Sequence, residues 1–121
     1  MTNVPAPDEF RHSRAKGNDA LRATGPVVES FFALDGAAYE PGALSKGVKE
    51  LMGLVISVTK DCEECVYYHL EQCAQEGVGR DQVLEALHIA MVGSGSVTVP
   101  LLRRAIAFMD QVPGLAEPTS P

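Results

Sequence analysis

A chain of 121 residues, 45% of them apolar and none of them tryptophan, suits one small domain whose core is filled mainly by Leu, Val, Ala and Met. The formal charge of −6, with Arg11, Arg14, Lys16 and Arg22 scattered among acids, argues against a surface that tracks a phosphate backbone, so nucleic acid is not an expected partner. No apolar run approaches the roughly 18 residues of a membrane span, and the polar start (Thr2, Asn3, Asp8, Glu9) does not read as a secretory signal, which together point to the cytoplasm and to no membrane partner.

In chain order, residues 1–23 read as an N-terminal arm, loose over 1–8 and carrying a short helix over 9–23. Pro26 opens a helix, because the first turn has no use for the missing N–H, and that helix ends near Asp35-Gly36. Phe31 and Phe32 on it are expected to pack in the core or against another subunit. Glu40-Pro41-Gly42 breaks the chain. From about Ser45, the apolar positions Val48, Leu51, Met52, Val55 and Ile56 follow a helical period as far as Thr59-Lys60. Glu50 lies beside this stripe, and most helical glutamates in such places are solvated.

Asp61 is the expected N-cap of the next helix, which places Cys62 and Cys65 in its first turn and ends at Gly77-Val78-Gly79. Cys73 on that helix reads as a buried small hydrophobe. A further helix starts at Arg80-Asp81 and breaks at Gly93-Ser94-Gly95-Ser96. His88 on it is kept apart from any site. Pro100 belongs in the first turn of the last helix, and Pro113 ends it. The expectation is an all-α fold of five to six helices over 24–112, followed by a disordered proline-rich tail over 113–121.

The chemistry gathers in Glu50, Cys62, Cys65 and His69. Residues three and four apart share a helical face, so Cys62, Cys65 and His69 form one stripe. A thiolate in the first turn is favoured by unpaired N–H groups and the helix dipole, while Asp61, Glu63 and Glu64 oppose it. A haem attachment motif needs His where Val66 stands, and a thioredoxin-like motif needs flanking strands. Two chemistries remain. In one, a thiolate attacks an electrophilic oxygen or a disulfide and the second thiol resolves the product, with His69 as proton acceptor and Glu50 orienting it. In the other, Cys62, Cys65 and His69 bind a metal with Glu50 or Cys73 as fourth ligand.

Pro26 through Phe108 resembles the carboxymuconolactone decarboxylase-like superfamily in its alkylhydroperoxidase D-like branch. The matching stretches are Phe31-Phe32-Ala33-Leu34-Asp35, Leu44 through Leu51, Cys62-Glu63-Glu64-Cys65 with His69, and Gly77-Val78, followed by Gly93-Ser94-Gly95. The branch pattern is a glutamate, about eleven residues, C-x-x-C, three residues and a histidine, and Glu50, Cys62, Cys65 and His69 occupy every position. The resemblance implies an all-helical subunit of a dimer, trimer or hexamer. It implies a peroxidase or thiol–disulfide oxidoreductase in antioxidant defence that uses no metal or organic cofactor, takes a small-molecule peroxide and is recharged by a dithiol donor such as a lipoyl-bearing protein. In such a protein Cys65 looks like the attacking thiol and Cys62 the resolving one, with His69 and Glu50 as the proton relay. The branch also carries a histidine immediately before the second cysteine, where this chain has Glu64. That departure bears on efficient peroxide reduction more than on fold. Carboxymuconolactone decarboxylases themselves lack the cysteine pair, which disfavours lactone decarboxylation.

Overall fold

The computed structural model describes residues 3–118, and among these the regular secondary structure is all helical: α1 (Pro7–Arg22), α2 (Pro26–Tyr39), α3 (Lys46–Thr59), α4 (Glu63–Gln75), α5 (Arg80–Ser94) and α6 (Val99–Met109), with one 3-10 turn at Ser96–Thr98. This is the expected all-α class. Among the described residues no helix is long and apolar enough to cross a membrane.

Local chemistry accounts for the helix ends. Ser45 caps α3 by accepting the Val48 N–H at 3.1 Å. At the other end of α3, Asp61 takes a left-handed conformation (φ 54°), its N–H bonding to the Val58 carbonyl while the Cys62 N–H bonds to that of Ser57. Asp61 is therefore the closing residue of α3 and not, as expected, the N-cap of α4. Cys62 is that cap. α4 closes in the same manner at Gly77 (φ 74°), with Val78 N–H on Cys73 O.

Three other boundaries move. α1 starts at Pro7, so the arm is shorter than residues 1–8 suggest, and Val4 packs on the core; Met1 and Thr2 lie outside the described residues. α2 runs past Gly36 to Tyr39, since Lys49 Nζ satisfies the carbonyls of Ala38 and Glu40 at its end, at 2.9 and 2.6 Å. α5 runs through Gly93 and breaks only at Gly95 (φ 84°). The stretch expected to be disordered from 113 keeps Leu115 wholly buried, and Arg80 ties it down through the Leu115 carbonyl at 2.7 Å. Residues 119–121 of that tail lie outside the described residues.

α3 packs between α4 and α5, and α4 against α6. Leu54, Val58, Val66, Leu70, Val83 and Leu101 fill the centre. Phe10 of α1 reaches this core, edge-on to Tyr67 and Phe108 at centroid distances of 5.6 and 5.8 Å, while Tyr67 and Phe108 stack at 4.4 Å. The core expectation for Phe31 and Phe32 does not hold: α2 contributes no buried side chain, and Val27, Phe31 and Leu34 are 80%, 63% and 69% exposed. α2 lies against the outside of the bundle, touching α1 and α3.

Phe10 is the aromatic link between α1 and the bundle. Phe10→Ala is expected to lower stability by about 3 kcal/mol, read from the urea midpoint at unchanged helix content.

Candidate active site

Glu50 points into the protein and is only 1% exposed, which overturns the solvated alternative. A carboxylate so placed needs partners, and it has two. Oε1 lies 2.7 Å from Nδ1 of His69 on α4, and Oε2 accepts from Nζ of Lys46, one turn back on α3, at 2.6 Å. Burial alone would raise the Glu50 pKa. The bonds to His69 and Lys46 outweigh it and hold the carboxyl below the ordinary glutamate range. His69 is itself buried, with Tyr39 stacked on its ring at 5.4 Å and Tyr68 edge-on at 5.0 Å. The pKa of Tyr39 is raised, by burial first and then by the charges of Glu50 and Asp35.

Gly53, one turn after Glu50, makes this stack feasible. A Cβ there would lie 2.6 Å from Cε1 and 2.9 Å from Nδ1 of His69, and closer still to the Tyr39 hydroxyl.

Cys62 and Cys65 are joined in a disulfide at the start of α4. The Cys62 sulfur sits at the N-cap and accepts the Cys65 N–H at 3.3 Å, so the helix terminus donates to sulfur as it would to an anion. The acids nearby oppose this less than their number suggests. Glu63 is drawn to α6, where Arg104 Nε lies 2.8 Å from one oxygen and the Tyr67 hydroxyl donates to the other at 2.7 Å, and the side chains of Asp61 and Glu64 are exposed. Cys73 is fully buried, its pKa pushed up to about 12 by desolvation, as befits a packing residue.

Cys65 and His69 line one pocket of about 260 Å³. Phe31, Phe32 and Asp35 of α2 form one wall, and Arg14 and Asn18 of α1 another. The Arg14 guanidinium lies over the Tyr68 ring, 3.9 Å from its centroid. Arg11 of α1 pairs with Glu71, a buried acid of α4.

The structure thus brings together all four residues singled out from sequence. It leaves His88 on an exposed stretch of α5, lining a separate apolar groove. Among the described residues no three His, Cys, Asp or Glu side chains stand together as a metal site. Sequence reasoning missed Lys46, Tyr39, Gly53 and Arg14. Only Lys46 left a signal, since it precedes Glu50 by four residues on one helix face.

The fold and site define an all-helical protein with a C-x-x-C disulfide at a helix start and a buried carboxylate–imidazole pair behind it. The carboxymuconolactone decarboxylase family model matches residues 26–110, and the chain belongs to that family, in keeping with its alkylhydroperoxidase D-like branch. Two crystal structures of one Thermotoga maritima protein are 42% identical to it, with TM-scores of 0.83 and 0.81, each covering 85% of this chain and 91% and 88% of their own. One of them is described as a family member with a suggested involvement in antioxidative response. A Legionella pneumophila family protein, in an apo crystal structure, is 26% identical at a TM-score of 0.74, covering 91% of this chain and 99% of its own. An uncharacterised Cupriavidus necator protein is 30% identical over 84 residues, which make up 69% of this chain and 74% of that protein. Uncharacterised protein 4 of the Paracoccus denitrificans cox locus is 26% identical over 96 residues, 79% of this chain and 86% of its own.

In an ordinary helix Gly→Ala stabilises by about 1 kcal/mol. Gly53→Ala is expected to reverse that sign, lowering the melting temperature, because His69 and Tyr39 must move to admit the methyl group. A rise in melting temperature would show that the stack is not tight.

Proposed function

We propose that the protein is a cysteine-based peroxidase of the thiol–disulfide oxidoreductase type, reducing organic hydroperoxides in antioxidant defence. One observation carries the reading: the buried Glu50–His69 pair opens on the pocket that Cys65 lines, with Cys62 within disulfide reach. A base held by a buried orienter, next to a thiol with a resolving partner, is the arrangement that nucleophilic thiol chemistry needs.

The steps follow from these positions. His69 takes the proton of Cys65. The thiolate attacks the terminal peroxide oxygen, the O–O bond breaks, and the departing alkoxide takes a proton to leave as alcohol. Cys65 is left as a sulfenic acid. The Cys62 thiol attacks that sulfur, the S–S bond forms, and hydroxide leaves with the Cys62 proton as water. An external dithiol then reduces the disulfide by exchange and is itself oxidised. Cys65 takes the attacking role because its side chain is exposed to the pocket, whereas Cys62 is partly covered at the cap. Glu64 stands where the resembling branch has a second relay histidine, so Glu50–His69 does the proton transfer unaided. A dithiol cycle of this kind belongs to a reducing compartment, the cytoplasm.

The decisive measurement is free-thiol titration of the reduced protein before and after one equivalent of alkyl hydroperoxide. Both active-site thiols are expected to be lost and then regained with a lipoyl dithiol, while the Cys62 thiol that remains in Cys65→Ser is expected to be retained. Undiminished peroxide consumption by the Cys62→Ser/Cys65→Ser protein would overturn the reading. Zinc retained by the reduced protein, without thiol loss, would instead favour a metal-binding module.

The same reading includes self-assembly. The apolar side chains that α2 leaves in solvent, with Ile89, Val92 and Val97 around α5 and the turn after it, are the surface on which a second copy would pack. Light scattering is expected to give a mass of two or more chains, reduced by Leu34→Glu. A monomeric mass at assay concentration would rule this out.

A further inference from the structure

Among the described residues the Glu50 carboxylate has two hydrogen-bond partners, and they differ in kind. The His69 imidazole can donate or accept at Nδ1. The Lys46 ammonium can only donate. Its side chain is 27% exposed and lines a second, polar groove of about 430 Å³ together with Ser45, Glu76 and Gln82, away from the Cys65 pocket.

This difference decides where the imidazole proton sits. If Glu50 is ionised, it accepts from Nδ1–H, and Nε2 carries the free lone pair. If Glu50 is protonated, it donates to Nδ1, the ring proton moves to Nε2, and the imidazole has no nitrogen left to accept a proton. A donor-only cation on Oε2 blocks protonation of that oxygen, and its positive charge disfavours protonation of Oε1 as well. Building on the peroxidase reading above, we propose that Lys46 is a positioning residue of the relay, holding Glu50 ionised and so holding His69 as the Nδ1–H tautomer whose Nε2 takes the thiol proton.

The surroundings fit this assignment. Burial pulls the Lys46 pKa down, but its bond to Glu50 and the charges of Glu50 and Glu76 more than compensate, so the ammonium persists. Asp35 and Tyr39 face the cluster from α2, and Glu64, Tyr68 and Cys73 from α4. Arg14 of α1 is a further cation close by, but its guanidinium is engaged over Tyr68. Neither hydrogen bond to Glu50 comes from it, so it does not replace Lys46.

Nitrogen-15 NMR of the histidine-labelled, reduced protein reads the tautomer directly and needs no peroxide turnover. His69 is identified by the signal lost in His69→Gln. At neutral pH the wild type is expected to show Nδ1–H, Lys46→Met to move toward Nε2–H, and Lys46→Arg to keep the wild-type pattern. In parallel, alkylation of Cys65 by iodoacetamide in the Cys62→Ser protein is expected to slow about tenfold with Lys46→Met and to recover with Lys46→Arg. Lys46→Gln serves if the methionine variant does not fold. The proposal is overturned if the wild type shows Nε2–H, if a folded Lys46→Met or Lys46→Gln protein keeps Nδ1–H, or if arginine disturbs the tautomer as much as methionine does. Because both readouts omit peroxide, an inactive wild type would defeat the peroxidase reading while leaving the tautomer assignment standing.

Discussion

A negative charge in the middle of a small helical bundle is the constraint around which this molecule is arranged. Glu50 is buried nearly as completely as Leu54 one turn further on. Left unpaired, such a carboxylate would cost several kcal/mol. The fold meets that cost from two directions at once: Lys46 approaches along α3 itself, and His69 approaches across the α3–α4 interface. The packing of α4 on α3 is therefore electrostatic as well as apolar. It fixes which turn of α4 faces Glu50, and with that the distance between His69 and the cysteines at the start of the same helix.

The helix junction does the rest of the positioning. Only Lys60, Asp61 and Cys62 lie between α3 and α4, with Asp61 closing one helix and Cys62 capping the next. Cys62 is fixed by hydrogen bonds on both sides, through its N–H to the Ser57 carbonyl and through its sulfur to the Cys65 N–H.

Much of this was legible in the sequence, and for identifiable reasons. The helical period of Val48 to Ile56, the proline starts at Pro26 and Pro100, and the C-x-x-C-x-x-x-H spacing are local signals, and local signals survive folding. The burial of Glu50 was not legible from the residues alone, because a glutamate beside an apolar stripe is ambiguous until the partner helix arrives. The end of α4 at Gly77 was read correctly, since glycine announces a left-handed residue. The end of α3 at Thr59 was read correctly as well, but the start of α4 was misread, because aspartate both caps helices and tolerates the left-handed region. Tyr39 and Gly53 were beyond reach: each matters only because a ring from another helix lies against it. The wall that α1 and α2 raise around Cys65 was hidden likewise, since α1 is too polar and α2 too uniformly apolar for either pattern to show which side faces the bundle.

The ion pair between Arg11 and Glu71 has a consequence for where this domain begins. The family model spans 26–110, but the counter-ion of a buried acid inside that span comes from residue 11, and the aromatic edge that closes the Tyr67–Phe108 stack comes from residue 10. The unit that homology outlines and the unit that holds itself together do not coincide. A fragment cut at the homology boundary would keep every residue of the Glu50–Cys65–His69 group and lose the counter-ion of Glu71. Among the described residues α1 packs on the bundle that the family model outlines from residue 26.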